Sequence, residues 1–311
     1  MCGRTHEEVF CESADYISGE VFRVVRCSVC GLIYVNPQPS AEELVCYYPQ
    51  THQSSAPAAY ERSDARPRVK LVSSLFGGTP GRILDIGCGK GLLLAGLRKK
   101  GWKVFGTELS EVSAQIAGTA GITVYNLPVE ECPFEPESFD VATLYHSLEH
   151  MTNPLKTLRA VHGLLRPGGS LVVEVPNIGS WYAKAFGTAW FHLDAPRHLY
   201  HFNRHTLRRM LEACGFLVVR ESTHNVQYDA FGAVQSVLNR FLHKKNLLNN
   251  FNTGEVKLGE LWHEDNGVRN LTALAISEVA LLIGFPLFAL MSLALSRWVD
   301  GGTLRFIATR N

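Results

Sequence analysis

Residues 83–91 read Ile-Leu-Asp-Ile-Gly-Cys-Gly-Lys-Gly, an apolar run that ends in alternating glycines and passes into a helical pattern at Leu92. A short Ile/Leu run of this kind suits a strand buried on both faces of a parallel sheet. Glycines at its end let the main chain turn through conformations closed to other residues, bring a ligand close to the backbone, and set helix N–H groups beneath it. The junction therefore predicts an α/β chain with a ligand site outside the carboxyl end of this strand. A dinucleotide fingerprint would need Gly-x-Gly-x-x-Gly/Ala. Counting from Gly87, the sixth position is Leu92, so the third small residue is missing. Instead, Asp85 stands just before the glycines and Glu108 closes the next apolar run.

The surrounding pattern agrees. Strands are predicted at 82–86, 103–107, 122–125, 139–144, 170–175, 216–221 and 303–308, with helices at 92–100, 111–119, 154–165 and 204–213. Asn153 before Pro154 reads as an N-cap followed by an N1 proline, and Gly101 and Gly215 stand where C′ glycines belong. With 30 Lys and Arg against 29 Asp and Glu, the 311-residue chain carries a formal charge of +1. That balance lacks the positive field that drives binding to a nucleic acid backbone, so no nucleic acid partner is expected. A hydrophobic content of 46% excludes low-complexity disorder. Residues 1–10 hold no apolar run that reads as a signal peptide, which makes a cytoplasmic protein with reduced cysteines the expectation.

The Asp85 loop with Glu108 resembles the class I S-adenosylmethionine-dependent methyltransferases. The stretches Tyr145-His146-Ser147-Leu148-Glu149-His150, Arg166-Pro167-Gly168-Gly169, Glu174-Val175-Pro176-Asn177 and Ala195-Pro196-Arg197-His198 match a branch acting mostly on small or lipid-linked molecules. The resemblance implies a seven-stranded Rossmann-like sheet covering residues 51–223 and 301–311. It also implies S-adenosyl-L-methionine as cofactor. Asp85, Gly87 and Gly89 would then form the methionine-side loop, Glu108 would hold the ribose hydroxyls, and Leu109 would pack on adenine. Asn126 and Tyr145 would complete that pocket.

Methyl transfer is an in-line displacement with a good leaving group, so alignment in a dry pocket is most of the protein's task. A hydroxyl acceptor must also lose a proton, for which His is suited. His198 is the expected base and His146 the second candidate. Arg197 is the candidate clamp for a substrate phosphate or carboxylate. O-methylation of a small or lipid-linked acceptor is the leading reading. Sugar C-methylation and quinone O-methylation are its rivals, and a cofactor-binding scaffold without turnover is the non-enzymatic alternative.

Residues 1–50 hold five of the eight cysteines. Cys27-Ser28-Val29-Cys30-Gly31 is half of a zinc-knuckle pattern, and a closed zinc site takes four ligands. Met1-Cys2-Gly3 looks like the end of the other half. Cys2, Cys27 and Cys30 are the expected ligands of a structural zinc, with His6 or Cys11 as a fourth.

Residues 224–300 form an insertion before the last strand. From 279 to 295 there is no charge. A span needs about 20 apolar residues, but one crossing would separate two strands of a single sheet. Pro286 is therefore expected to break the segment into a shallow hairpin lying in a membrane surface. Residues 231–245, with Arg240, His243, Lys244 and Lys245, read as its basic amphipathic neighbour. A helical cap or a homodimer interface is the alternative use of residues 231–298.

Overall fold

A computed structural model of the chain describes residues 6–48, 58–264 and 266–311. Strands β1 (Glu7–Ala14), β2 (Val21–Cys27) and β3 (Ile33–Val35) precede helices α1 (Ala41–Leu44) and α2 (Ala58–Leu75). An alternating run follows: β4 (Arg82–Ile86), α3 (Leu92–Arg98), β5 (Lys103–Thr107), α4 (Glu111–Thr119), β6 (Thr123–Tyr125), β7 (Phe139–Tyr145), α5 (Pro154–Leu164) and β8 (Leu165–Pro176). Next come α6 (Trp181–Phe186), β9 (Tyr200–His201), α7 (Arg204–Ala213) and β10 (Phe216–Ser222). The insertion supplies α8 (Val226–Phe241), α9 (Leu247–Asn252), α10 (Leu258–His263) and α11 (Gly267–Leu295), and β11 (Thr303–Arg310) closes the chain.

Two compact units divide these elements. One gathers Met1–Pro57, Pro176–Thr206 and Thr223–Leu304; the other gathers Ala58–Val175, Leu207–Ser222 and Arg305–Asn311. The second unit is built on a seven-stranded sheet in the order β10-β11-β8-β7-β4-β5-β6. Strands β4 to β8 pair in parallel, and β10 runs antiparallel to β11 with Phe216 opposite Arg310. Ile83, Val104, Val141, Val172 and Ile307 line one face, where Val69 and Val72 of α2 and Leu93, Leu94 and Leu97 of α3 pack against them. The strand order reverses beside β4, the place where an open sheet parts to admit a ligand.

The first unit carries an antiparallel sheet, β1-β2-β3-β9. Its last pair joins Ile33 to His201 and Tyr34 to Tyr200. The cysteine-rich start and the insertion, which the sequence divides into separate segments, share this unit. The reason is one hydrophobic cluster that joins Phe22, Val24 and Val35 to Tyr182, Trp190 and Leu193 and to Ala233 of α8.

The insertion differs from its expected form in two ways. First, α11 is one continuous 29-residue helix with Pro286 inside it, not a hairpin broken at that proline. Packing on α8 holds the helix on both sides of the lost hydrogen bond. Gly284 passes so close to α8 that a Cβ would sit 3.0 Å from Val234, and Phe288 packs in the cluster of Val234, Leu238 and Leu248. Second, α8 is not a basic surface helix, because Ala230, Ala233, Val234, Gln235, Ser236 and Leu238 are all buried. The basic residues fall at and beyond its end, where Lys244 pairs with Glu264. The exposed apolar face belongs to α11 instead.

A buried carboxylate anchors the far end of α11. Asp229 of α8 accepts from Ser292 Oγ at 2.8 Å and from the Gly302 N–H at 2.9 Å. Asp229→Ala is expected to cost roughly 2–6 kcal/mol, at about 1–3 kcal/mol for each of the two buried donors left without a partner. Urea unfolding measures this, and a loss below about 1 kcal/mol would show that the anchor does not bear on stability.

Candidate functional site

At the end of β4 the chain turns at Gly87 with φ +72°. Only glycine fits there, since a Cβ would lie 2.7 Å from that of Ser147. The Gly87 and Cys88 N–H groups both donate to the Thr107 carbonyl, at 2.8 and 3.0 Å. Gly89 also has positive φ, +53°, and faces open space where a side chain would stand. Its N–H donates to Glu108 Oε2 at 2.8 Å, and the Ser110 N–H donates to Glu108 Oε1 at 2.8 Å. Asn126 Nδ2 donates to the Glu108 carbonyl at 2.6 Å, and Leu109 is 70% exposed. Asp85, Gly87, Gly89, Glu108, Leu109 and Asn126 are thereby gathered at the carboxyl ends of β4, β5 and β6.

These residues fit S-adenosylmethionine. The open main chain at Gly89 lets a ligand lie against the turn, a positioned carboxylate at Glu108 suits a ribose diol, and an exposed leucine suits the adenine face. Asp85 is buried and accepts from Thr143 Oγ1 at 2.6 Å. Burial pushes its pKa up to about 7, with the Thr143 hydroxyl and the Arg68 charge opposing the rise. A cation beside it would hold it ionised.

Tyr145 lies deeper than expected of a pocket wall. It belongs to the sheet's core cluster, its hydroxyl has no hydrogen-bond partner among the described residues, and Arg68 stacks 4.5 Å above its ring. His146 follows with φ +52°. Its Nε2 is 3.2 Å from Glu174 Oε1 and its Nδ1 is 3.6 Å from Glu149 Oε1. Burial works against the charged ring, but the two carboxylates outweigh it and raise the imidazole pKa. A ring so held is biased toward its charged form, which does not act as a general base.

His198 and Arg197 lie in the first unit. His198 is buried, and its Nδ1 is 2.8 Å from the His192 carbonyl. A carbonyl only accepts, so Nδ1 carries the proton and Nε2 is the basic nitrogen. Arg197 does not have the geometry of a substrate clamp. Its guanidinium binds Asp194 through Nε and Nη2 and Asp15 through Nη1 at 2.7 Å. It also donates to the Tyr47 carbonyl at 2.7 Å and stacks 4.1 Å above Tyr16. Those internal partners answer the charge within the chain.

Cys27 and Cys30 share a turn closed by the Gly31 N–H on the Cys27 carbonyl at 2.9 Å, and the Ser28 N–H donates to the His6 carbonyl at 3.0 Å. Cys2 lies outside the described residues. Cys11 packs on the core cluster of Phe22 and Val24 and is no partner for that turn. Among the described residues no third ligand atom joins Cys27 and Cys30.

Sequence reasoning missed Arg68, Thr143 and Arg305, which meet Asp85 and Glu174. Glu174 was visible as an acid inside the apolar run Leu-Val-Val-Glu-Val, a pattern that demands a buried partner. Nothing in sequence spacing names that partner, because Arg305 stands 131 positions away.

Comparison with known proteins agrees with this geometry. Residues 59–221 match the model of a methyltransferase domain family, and the chain belongs to that family. The ubiquinone biosynthesis O-methyltransferase of Alkalilimnicola ehrlichii is 33% identical over 118 residues, covering 35% of this chain and 48% of that protein. The protein of the same name from Paraburkholderia phymatum is 32% identical over 158 residues, covering 48% and 67%. The chain spans about half the length of the first of these relatives. A solved S-adenosylmethionine-dependent methyltransferase from Archaeoglobus fulgidus shares the fold, with a TM-score of 0.50 at 19% identity over 80% of this chain and 94% of that one.

Asp85 supplies a pH signature. Its raised pKa means that ionising it costs stability above about pH 7, a cost relieved as pH falls through 7 toward the unfolded carboxyl range. A cofactor bringing positive charge to Asp85 should draw that pKa down and release a proton. Calorimetry at pH 7 in buffers of different ionisation enthalpy should find about half a proton released on S-adenosylmethionine binding. Asp85→Asn should abolish the release, and buffer-independent heats in the native chain would reject the contact.

Proposed function

We propose that the chain is an S-adenosylmethionine-dependent O-methyltransferase whose acceptor is a quinone-like or lipid-linked hydroxyl compound. The arrangement of Asp85, Gly87, Gly89 and Glu108 carries the cofactor half of this reading. The relatives named for ubiquinone biosynthesis support the acceptor half. Asp85, the Gly89 main chain, Glu108 and Leu109 would hold the cofactor, which when bound supplies an electrophilic methyl group on sulfur. The chain's own task is then to exclude water and align the acceptor oxygen. His198 is the favoured base, because its Nδ1 proton is committed to a carbonyl, which makes Nε2 the nitrogen able to take up a proton. His146, held between two carboxylates, is not.

The test is methyl transfer from labelled S-adenosylmethionine to demethylated quinols and lipid extracts, with cofactor binding measured separately. His198→Ala is expected to keep binding and lose about 10²–10⁴-fold in turnover. Unchanged turnover rejects the base, and lost binding marks His198 as structural.

The same reading includes contact with a membrane surface through α11. Val279, Leu282, Ile283, Leu287, Leu290 and Leu293 of this helix are each more than half exposed. Trp262, shortly before the helix, is 55% exposed, and Trp298, just after it, is 77% exposed. Exposed tryptophans at both ends of an apolar helix suit the headgroup level on either side of a helix lying in the interface. The helix is long and apolar enough to span, but its packing on α8 commits one side of it to protein. The full chain should pellet with membranes, resist salt and release in detergent. A chain wholly soluble at low salt would reject the membrane contact, and a dimer under those conditions would assign the face to a second copy.

A further inference from the structure

Glu174 is a fully buried carboxylate in β8 facing Arg305, Arg68 and His146. Arg305 of β11 reaches Oε2 with Nε at 2.5 Å and also with Nη2. Arg68 of α2 approaches Oε1 at 3.7 Å, and His146 Nε2 stands 3.2 Å from the same oxygen. Glu149, itself 1% exposed, faces the other ring nitrogen of His146. Carboxylate oxygens only accept, so both ring nitrogens meet their partners only when both carry protons. Asp85 and the Tyr145 ring share Arg68 with Glu174.

The backbone gives this pairing a consequence. His146 has φ +52°, a conformation a non-glycine residue holds only when its surroundings require it. Glu174 tethers it twice, through the side chains and through the His146 N–H on the Glu174 carbonyl at 2.8 Å. The next residue, Ser147, packs against Gly87 so tightly that no Cβ fits between them. The strained turn is thus pressed onto the glycine loop.

We propose that Glu174 is a positioning residue that holds His146 as an imidazolium, and that this charged state keeps the turn at Ser147 closed on the glycine loop, so that cofactor affinity depends on the protonation of His146. Deprotonation leaves one carboxylate facing a ring lone pair and weakens the side-chain half of the tether on the strained turn. Burial lowers the His146 pKa, but Glu149 and Glu174 raise it by more. The lock is therefore present below the raised pKa and is lost as pH rises through it. Asp85 acts with the opposite sign, since its ionisation on the way up favours a cationic ligand. The proposal rests on the cofactor reading given above.

The test is a pH titration of the full chain labelled at histidine, followed by NMR, with His146→Gln used to assign the signal. His146 should titrate above the ordinary imidazole value. Calorimetry with S-adenosylhomocysteine should show affinity falling above that pKa by roughly tenfold per pH unit, as the competent fraction shrinks. Glu174→Gln, which removes the carboxylate charge, should move both the His146 titration and the affinity fall to lower pH, and Arg305→Gln, which removes a competing cation from Glu174, should move both to higher pH. A His146 that titrates at or below the ordinary value in the native chain overturns the proposal, whether or not either variant folds. So does a pH profile of affinity that stays in place when the His146 titration moves. Absence of S-adenosylhomocysteine binding at every pH, with the raised titration intact, overturns the cofactor reading and the coupling with it.

Discussion

The turn after β4 hangs on one carbonyl. Thr107 takes the N–H groups of both Gly87 and Cys88, and Glu108 takes that of Gly89. Three successive donors that would otherwise face the open end of the sheet are tied to the end of β5. This leaves a rigid loop whose exposed side is main chain, with a carboxylate fixed beside it. A ligand site of this kind needs no reorganisation of the protein, and its geometry follows from backbone hydrogen bonding together with the absence of a side chain at two positions.

Two buried acids on the same sheet show how neighbours decide charge. Asp85 has one hydroxyl donor and a guanidinium it must share, so burial dominates and its pKa rises to about 7. Glu174 is at least as buried, yet His146, Arg305 and Arg68 outweigh the desolvation and hold its pKa below the ordinary carboxylate range. Removing one partner from such a set leaves an uncompensated buried charge, which is why the members act as a unit. The two outcomes differ: Asp85 changes charge near neutral pH, whereas Glu174 is a fixed charge.

The insertion shows a different balance. A proline inside a helix loses a hydrogen bond and crowds the preceding turn, about 3 kcal/mol or more in an isolated helix. Here Gly284, Phe288 and Ser292 give α11 contacts on α8 on both sides of Pro286. Those contacts outweigh the break, and the apolar residues that do not face α8 remain at the surface.

The strands and helices of the second unit were legible in sequence because buried parallel strands are continuous apolar runs and their connections carry caps and glycines. The residues proposed to hold the cofactor were legible for a related reason. A ligand cradled by main chain needs glycines at a strand end, and those residues are consecutive. What the sequence by itself determined was therefore local: the Asp85–Gly91 turn, Glu108 at the end of the next strand, and the apolar character of residues 279–295. What only the tertiary structure decided was pairing across distance. It committed Arg197 to Asp15 and Asp194, placed Arg305 on Glu174, gave His146 two carboxylates, and kept α11 whole across Pro286. Periodicity reports which side of an element is buried. It carries no record of which distant residue meets a charge there, and that meeting sets both the protonation state and the strain.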